Sequence, residues 1–221
     1  MTEYTTLGRC GIEVSRICFG SLTVSRLGAD LPLSEGAAVI AHALHSGINF
    51  IDTAQYYDNY EYIKEGIRLY REQGGTVRPI ICSKTYAYNR ELAREAVDEA
   101  LARLGTDCID IFMLHEQESA DTLRGHAEAL EYLRECRADG IIRALGISTQ
   151  PPPFAARGIF VSRTERCLMS FLPCSTATVW VSEARTRMRT RTAAHARHAA
   201  WRAMKWSTNS DSAAKREWAL C

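Results

Sequence analysis

Hydrophobic residues in the first 150 positions form short continuous runs that alternate with longer amphipathic segments. Near the start, YTTLGRCGIEVS holds two β-like stretches around Gly8 to Gly11, which predicts a β-hairpin. The later apolar runs lack strict alternation, which is typical of strands that are covered on both faces. Five such strands are predicted: RICFGS (16–21), NFIDTA (49–54), PIICSK (79–84), IDIFMLH (109–115) and IRALGIS (142–148).

The segments between these strands have the apolar spacing of helices. RELAREAVDEALARL repeats one apolar stripe at helical intervals, and another helix is predicted over roughly 59–73. Three helices have a cap candidate in front and a glycine behind: Ser34 and Gly47, Asn89 and Gly105, Asp121 and Gly140. Strands and helices in alternation predict βαβ units and therefore an α/β fold.

The ends of the predicted strands recur at a nearly constant interval. Steps of 32, 32, 31 and 33 residues separate Gly20, Asp52, Lys84, His115 and Ser148. Equal steps of this length predict repeated right-handed crossovers, which bring the five residues to the carboxyl ends of parallel strands. We therefore predict a (β/α)8 barrel of the TIM type with its active site at this rim. We expect the barrel to be incomplete, because about five β/α strands are recognisable.

A carboxylate, an ammonium and an imidazole would then face one pocket, with a phenol in the loop after Asp52. Spacing places Tyr57 there, and its neighbour Tyr56 is assigned to packing. A phenol has a pKa of about 10, which a nearby ammonium such as Lys84 lowers, and this favours proton transfer. Asp52 would hold the lysine, and His115 would hydrogen-bond a substrate oxygen. Because no serine or thiolate is placed as a nucleophile, the missing partner is interpreted as a hydride carrier.

These residues resemble the aldo/keto reductases, a family of NADPH-dependent oxidoreductases that fold as (β/α)8 barrels. The similarity lies in GINFIDTAQYY, SKT, ALARLGTDCIDIFMLH and IRALGIST, over about residues 3–149. The resemblance implies that Asp52, Tyr57, Lys84 and His115 are catalytic. It also implies hydride transfer between NADPH, or alternatively NADH, and a carbonyl or alcohol substrate. A small molecule is therefore favoured as the partner over nucleic acid or a membrane.

The resemblance also implies which residues contact the cofactor. FGS is similar to the family's cofactor-contacting turn after the first strand, at Gly20 and Ser21, and Asp52 belongs to the same set. GIST stands where the family usually has Gly-x-Ser-Asn, so Ser148 would contact the nicotinamide amide, whereas Thr149 departs from that pattern. The family holds the cofactor's phosphates with the last units of its barrel, and nothing in 151–221 matches that segment.

The chain changes character after residue 150. Residues 1–150 carry 15 Lys and Arg against 22 Asp and Glu, a net charge of −7, whereas 151–221 carry 12 against 4, a net charge of +8. All nine tyrosines precede residue 151, and all four tryptophans follow it. TATVWV (176–181) could form a strand, but no β/α unit leads into it. We therefore divide the chain into a reductase-like part, 1–150, and a basic tail, 151–221.

Three explanations of the tail are open: a basic appendage that binds nucleic acid or an acidic partner, a diverged end of the barrel, or translation in another reading frame. We favour the third, because the tail loses Gly and Tyr and gains Arg and Trp. The enzymatic interpretation then describes a truncated reductase. A non-catalytic barrel remnant with a basic binding tail is the alternative function.

The remaining composition excludes several other classes of protein. The start MTEYTTLGRC has no secretory pattern, and no apolar run approaches the roughly 20 residues of a membrane span. Eight cysteines without a Cys-x-x-Cys pair favour reduced thiols in the cytoplasm over disulfides. His195 and His198 have metal spacing but no suitable acids or cysteines nearby, so no metal is expected. The oligomeric state is not predicted.

The reading-frame hypothesis makes a prediction about the gene. If a frame change caused the break, the nucleotides after about codon 149 should encode the missing pattern in another frame. That pattern is an apolar strand, an amphipathic helix and a strand end at the interval seen before residue 150, repeated. A phosphate-binding segment with Lys or Arg at a helix N-terminus should follow. Translation in three frames is the measurement, and patternless sequence in both alternative frames would contradict the hypothesis.

Overall fold

A computed structural model describes residues 2–8, 10–149, 173–174 and 177–182 of the chain. It begins with the predicted hairpin, in which β1 (Tyr4–Leu7) pairs antiparallel with β2 (Ile12–Ser15). Gly11 in the connection has φ +69°, a left-handed conformation that glycine adopts without steric cost. His195, His198 and most of the tail lie outside the described residues.

Five parallel strands follow and confirm the predicted crossovers. They are β3 (Cys18–Gly20), β4 (Phe50–Asp52), β5 (Ile80–Thr85), β6 (Ile109–Leu114) and β7 (Ile142–Thr149). Each strand pairs with the next along the chain, in the order β3-β4-β5-β6-β7. This is the strand order of a (β/α)8 barrel, of which the described residues form a five-strand part.

Helices occupy the connections between these strands. They are α1 (Leu33–His45), α2 (Tyr60–Glu72), α3 (Arg90–Leu104), α4 (Ala120–Gly125) and α5 (Ala127–Ala138). The helices α1 and α2 lie so close that a Cβ on Gly66 would come within 2.7 Å of Ile40. Glycine at this position therefore permits the two helices to pack.

The predicted helix ends are partly right. Asn89 caps α3 by accepting a hydrogen bond from the Leu92 amide at 2.9 Å, and Gly105 ends it in the left-handed conformation. Ser34 does not cap α1, which already begins at residue 33 after Pro32. Asp121 does not cap α4 either, because Ser119 accepts the Thr122 amide at 3.0 Å and so starts the helix earlier. The single helix predicted after Asp121 is two helices that meet at His126.

Alternate residues of the parallel strands contribute to two different cores. Side chains such as Ile51, Ile81, Phe112 and Leu145 pack against the helices. Residues of the opposite parity form a smaller inner core with the hairpin: Leu7, Ile12, Val14, Phe50, Ile80, Cys82, Ile111, Met113 and Ala144. The hairpin thus covers the inner face of the strands.

Beyond β7 the sheet departs from barrel topology. The strand predicted at 176–181 is present as β9 (Ala177–Ser182), and it is preceded by the short β8 (Pro173–Cys174). Yet β9 runs antiparallel to β7, whereas the sixth strand of a β/α barrel would be parallel. Among the residues that the structure describes, the series of crossovers between parallel strands therefore ends with β7. In that same part of the chain, no helix has the length and apolar character needed to cross a membrane.

Candidate active site

The inner face of the strands becomes polar at their carboxyl ends. Along β5 the inward residues run from Ile80 and Cys82 to Lys84, and β4 leads in the same way from Phe50 to Asp52. The register pairs Asp52 with Cys82 and Lys84 with Met113, so each strand extends one inward residue beyond its neighbour. Successive inward positions are two residues apart, so the polar residue of each strand lies one inward step beyond that of the strand before it, at the same rim.

The rim centres on a buried ion pair. The Lys84 ammonium lies 2.8 Å from the Asp52 carboxylate and donates a second hydrogen bond of 2.8 Å to the Thr53 carbonyl. Lys84 is only 2% exposed and Asp52 is likewise buried. A buried ammonium needs such partners, since an unpaired charge in this environment would be strongly destabilising.

Burial and ion pairing have opposite effects on the pKa values of Asp52 and Lys84. Burial raises the pKa of the Asp52 carboxyl, and the Lys84 ammonium opposes that rise. Burial by itself lowers the pKa of Lys84, but the Asp52 carboxylate, with Cys82 and Tyr57, outweighs it and holds the pKa above its ordinary value. Lys84 is therefore an ammonium throughout the neutral range.

Tyr57 lies beside this pair, as the spacing predicts. It ends a short 3-10 turn, Gln55–Tyr57, that follows β4, and the Lys84 Nζ is 5.1 Å from the centre of its ring. The ring also makes an edge contact with His115, with centroids 5.7 Å apart. Tyr56, which the sequence assigns to packing, is 66% exposed and contacts the edge of the Tyr86 ring.

His115 completes the group on the side of β6. Its amide donates to the Thr85 carbonyl at 2.9 Å, which fixes the residue directly after the strand. Within the described part of the chain its buried Nδ1 has no hydrogen-bond partner. Burial, and then the positive charge of Lys84, lower the pKa of His115 to about 4. The imidazole is therefore neutral at neutral pH and has one donor and one acceptor nitrogen.

The predicted cofactor residues surround the same rim. A Cβ on Gly20 would meet nothing within 4 Å, so the space beside this strand end is open. Ser21 is buried and its hydroxyl donates to the Asp52 carbonyl at 2.8 Å. Ser148 is also buried, and its hydroxyl accepts the Glu116 amide at 2.8 Å. The two serines thus hold the backbone of the rim, and their contacts with a cofactor remain a prediction.

Sequence reasoning missed two residues of the site. Tyr86 stacks on His115, with ring centroids 4.3 Å apart, and its hydroxyl donates to Glu116. Asn59 donates to the Ser21 carbonyl at 2.8 Å and accepts from the Thr53 hydroxyl at 2.6 Å, so it ties β3 to the turn after β4. Tyr86 could have been found as an aromatic residue two positions after Lys84. No one-dimensional signal marks Asn59.

The polar rim does not have the composition of a metal centre. In the described ranges no group of three or more His, Cys, Asp or Glu side chains could hold a metal ion. Of the cysteines there, Cys82 and Cys136 are buried, and Cys10, Cys18 and Cys108 are half-buried. The carboxylate, ammonium, phenol and imidazole at this rim can transfer protons and form hydrogen bonds.

Comparison with known proteins identifies the class to which this fold and rim belong. The model of the aldo/keto reductase family matches residues 16–182. The chain therefore belongs to the aldo/keto reductase family. The match continues past residue 149, where the motifs that carry the resemblance end, and includes β9.

Individual relatives are similar over part of their length. The chain is 29% identical over 163 residues to 6-dehydroglucose reductase of Novosphingobium aromaticivorans, covering 66% of this chain and 51% of that protein. It is 36% identical over 119 residues to morphine 6-dehydrogenase of Pseudomonas putida, covering 51% and 38% respectively. The chain thus spans about half or less of the length of these curated relatives.

A solved structure supports the fold. The aldo-keto reductase AKR2E4 of Bombyx mori, in complex with NADP, superposes with a TM-score of 0.60 and 21% identity over 74% of this chain and 55% of that chain. At this identity the similarity establishes the fold and not the activity. The five-strand part described above is therefore part of an aldo/keto reductase barrel.

The lowered pKa of His115 predicts a change of stability with pH. Unfolding restores an ordinary pKa of about 6.5, so the unfolded chain binds more protons than the folded chain between about pH 6.5 and pH 4. Stability should therefore fall as the pH falls through this window, by on the order of 3 kcal/mol. His115→Gln should remove most of that slope, as measured by urea unfolding followed by circular dichroism at a series of pH values.

The exposed His42 on α1 supplies the matched control, because His42→Gln removes an imidazole without touching the rim. This variant should keep the slope of the wild-type chain. An equally steep loss of stability in His115→Gln would show that other groups cause it.

Proposed function

We propose that this chain carries the proton-transfer site of an NADPH-dependent reductase that interconverts small carbonyl compounds and alcohols. The observation that carries the proposal is the contact of Lys84 with both partners: Nζ lies 2.8 Å from the Asp52 carboxylate and 5.1 Å from the Tyr57 ring centre. A fixed ammonium beside a phenol favours release of the phenolic proton. The neutral imidazole of His115 makes an edge contact with the ring of the same tyrosine.

The rim has features that fit a nicotinamide cofactor. Open space beside Gly20 allows a flat ring to approach the backbone at the end of β3. The buried Nδ1 of His115, which lacks a partner in the described residues, marks a polar position that a bound molecule could satisfy. We assign Gly20, Ser21, Asp52 and Ser148 to cofactor binding, with NADPH as the cofactor and NADH as the alternative.

When bound, NADPH supplies the hydride that reduces the carbonyl carbon. Residues of the protein supply the proton that accompanies the hydride. His115 hydrogen-bonds the carbonyl oxygen and orients it toward Tyr57. The Tyr57 hydroxyl then gives its proton to that oxygen, and the adjacent Lys84 ammonium stabilises the phenolate that remains. Asp52 holds the ammonium in place, and the phenolate regains a proton from solvent.

The names of the relatives support a carbonyl or alcohol substrate in general. One is called a reductase and the other a dehydrogenase, which are the two directions of the same interconversion. For the chain itself we assign 1–150 to the catalytic part and 151–221 to a separate basic segment. We propose that the chain is truncated relative to a complete reductase, and that it acts in the cytoplasm, as its eight cysteines without a Cys-x-x-Cys pair favour.

Replacing Tyr57 by Phe tests the proton donor. The purified chain should bind NADPH, as followed by the fluorescence of the reduced nicotinamide, and should oxidise it in the presence of a panel of aldehydes and ketones. Tyr57→Phe should lower kcat about 10²–10⁴-fold, because the variant keeps the ring and lacks the proton. Its Kd for NADPH should remain within about twofold of the wild-type value.

The neighbouring Tyr56→Phe is the matched control, since this tyrosine is exposed on the same turn. It should retain wild-type kcat. Full activity in Tyr57→Phe would remove the residue from the mechanism, and failure of the wild-type chain to bind NADPH would overturn the proposed function of this chain.

The open space at Gly20 gives a separate test of cofactor binding. Gly20 has φ −82° and ψ 106°, which alanine also adopts, so Gly20→Ala should leave the unfolding transition unchanged. The added methyl group would occupy the proposed nicotinamide space and should raise the Kd for NADPH about tenfold or more. Fluorescence titration measures the change.

Gly125→Ala is the corresponding control. A Cβ at Gly125, at the end of α4, also meets nothing within 4 Å, and no cofactor residue is assigned to that helix. Equal affinity in Gly20→Ala and Gly125→Ala would show that the cofactor does not occupy the space at Gly20.

A further inference from the structure

The turn that carries Tyr57 is held from outside the rim by two residues of α3. Glu99 and Arg103 are one helical turn apart, and the Arg103 Nη1 lies 2.9 Å from the Glu99 carboxylate. From this position each residue reaches a different end of the turn Gln55–Tyr57. Neither residue contacts the reacting groups.

Arg103 holds the end of the turn that follows Tyr57. Its guanidinium donates to the Asp58 carboxylate at 2.7 Å and to Glu61, at the start of α2, at 2.6 Å through Nε. Because the planar guanidinium engages three carboxylates from separate segments, it fixes their relative orientation as well as their charge. Asp58, Glu61 and Glu99 are thus held around one cation.

Asp58 has an unusual backbone conformation. Its φ of +49° places it in the left-handed region, which residues other than glycine adopt at a cost and which aspartate tolerates better than most. This left-handed residue ends the 3-10 turn immediately after Tyr57. The ion pair with Arg103 ties down the side chain at the point where the backbone is strained.

Glu99 holds the other end of the turn and connects it to the lysine strand. Its second carboxylate oxygen accepts a hydrogen bond of 2.8 Å from the Nε2 of the Gln55 side chain. The Oε1 of the same side chain accepts one of 2.7 Å from the hydroxyl of Thr85, the residue after Lys84. Arg103, Glu99, Gln55 and Thr85 therefore form a continuous hydrogen-bonded path from α3 to the strand that carries Lys84.

We propose that Arg103 is a positioning residue that holds the Tyr57 turn at its working distance from Lys84. It acts through Asp58 at one end of the turn and through Glu99 and Gln55 at the other. The catalytic consequence rests on the proposed function, since it matters only if Tyr57 is the proton donor. The positional consequence does not depend on activity.

The ion-pair cluster of Arg68 has no such positioning role and serves as a comparison. It also pairs with two carboxylates, Glu65 and Glu72, but all three residues lie on α2, so they connect no separate segments. The Arg68 side chain is 50% exposed, whereas that of Arg103 is 26% exposed. Exposed pairs within one helix contribute little to stability, and Arg68→Gln is therefore a matched control for charge removal from an Arg with several partners.

The position of Tyr57 can be read directly in the full chain labelled with 3-fluorotyrosine. The nine tyrosines give ¹⁹F resonances, and Tyr57→Phe identifies the one that belongs to residue 57. Arg103→Gln should shift or broaden this resonance and leave that of the distant Tyr132 unchanged, whereas Arg68→Gln should leave both unchanged. An unaltered Tyr57 resonance in a folded Arg103→Gln chain would overturn the proposal.

A second variant keeps the test decisive if Arg103→Gln does not fold. Asp58→Asn removes the negative charge from one partner of Arg103 and so weakens that contact, while keeping a residue type that tolerates the left-handed conformation. It should move the Tyr57 resonance in the same direction by a smaller amount, and no movement would contradict the proposal.

Kinetic measurements distinguish a positioning role of Arg103 from a purely structural role. Arg103→Gln should lower kcat about tenfold, with the KM for NADPH unchanged and partial recovery in Arg103→Lys, because misplacement of the proton donor affects the chemical step. An unchanged kcat would contradict the role. If the wild-type chain has no turnover, the proposed function fails, while the ¹⁹F measurement still decides whether Arg103 positions Tyr57.

Discussion

The buried ion pair between Lys84 and Asp52 is the interaction on which the rest of the site depends. Its two members come from adjacent parallel strands, and the register of β4 and β5 places Lys84 one inward position beyond Asp52, within reach of its carboxylate. Breaking such a pair leaves one uncompensated buried charge, which costs about 3–5 kcal/mol. The contact that keeps an ammonium at the rim therefore also constrains how the strands can pair.

This constraint extends from the pair to its surroundings. The Lys84 ammonium also donates to Thr53, and the Thr53 hydroxyl is bound by Asn59, which reaches back to Ser21. On the other side, the charge of Lys84 contributes to the lowered pKa of His115. One cation thus fixes the backbone after β4 and, together with burial, keeps the imidazole neutral. Both effects follow from placing a charge where water cannot screen it.

Much of this arrangement could be predicted from the sequence, because a repeated crossover of constant length places strand ends without any knowledge of packing. Asp52, Lys84, His115 and Ser148 were found in this way, and Asn89 was recognised as a helix cap. Ser34 and Asp121 were wrong as caps, since Pro32 and Ser119 lie earlier in the chain and the helices begin with them. A cap is decided by competition between nearby residues, and composition alone does not rank them.

Other features of the site depend on contacts between loops that are distant in sequence. Tyr86 stacks on a histidine 29 positions later, and Gln55 joins Thr85, 30 positions later, to Glu99, 44 positions later. No periodicity connects such pairs, because loop side chains are placed by the tertiary fold rather than by the repeat. The same reason explains why spacing alone could select Tyr57 but could not foresee that Tyr56 is exposed.

The location of the four rim residues also bears on what a partial barrel can assemble. Asp52, Lys84 and His115 come from the ends of β4, β5 and β6, the middle three of the five parallel strands, and Tyr57 comes from the turn after β4. Pairing between adjacent strands brings the first three residues together without closure of a ring, and the contacts of the turn add the fourth. Strands on both sides, β3 and β7, shield this middle from the sheet edges. A chain that spans about half of the length of its relatives therefore brings these four side chains to one rim through pairing of neighbouring strands and one adjoining turn.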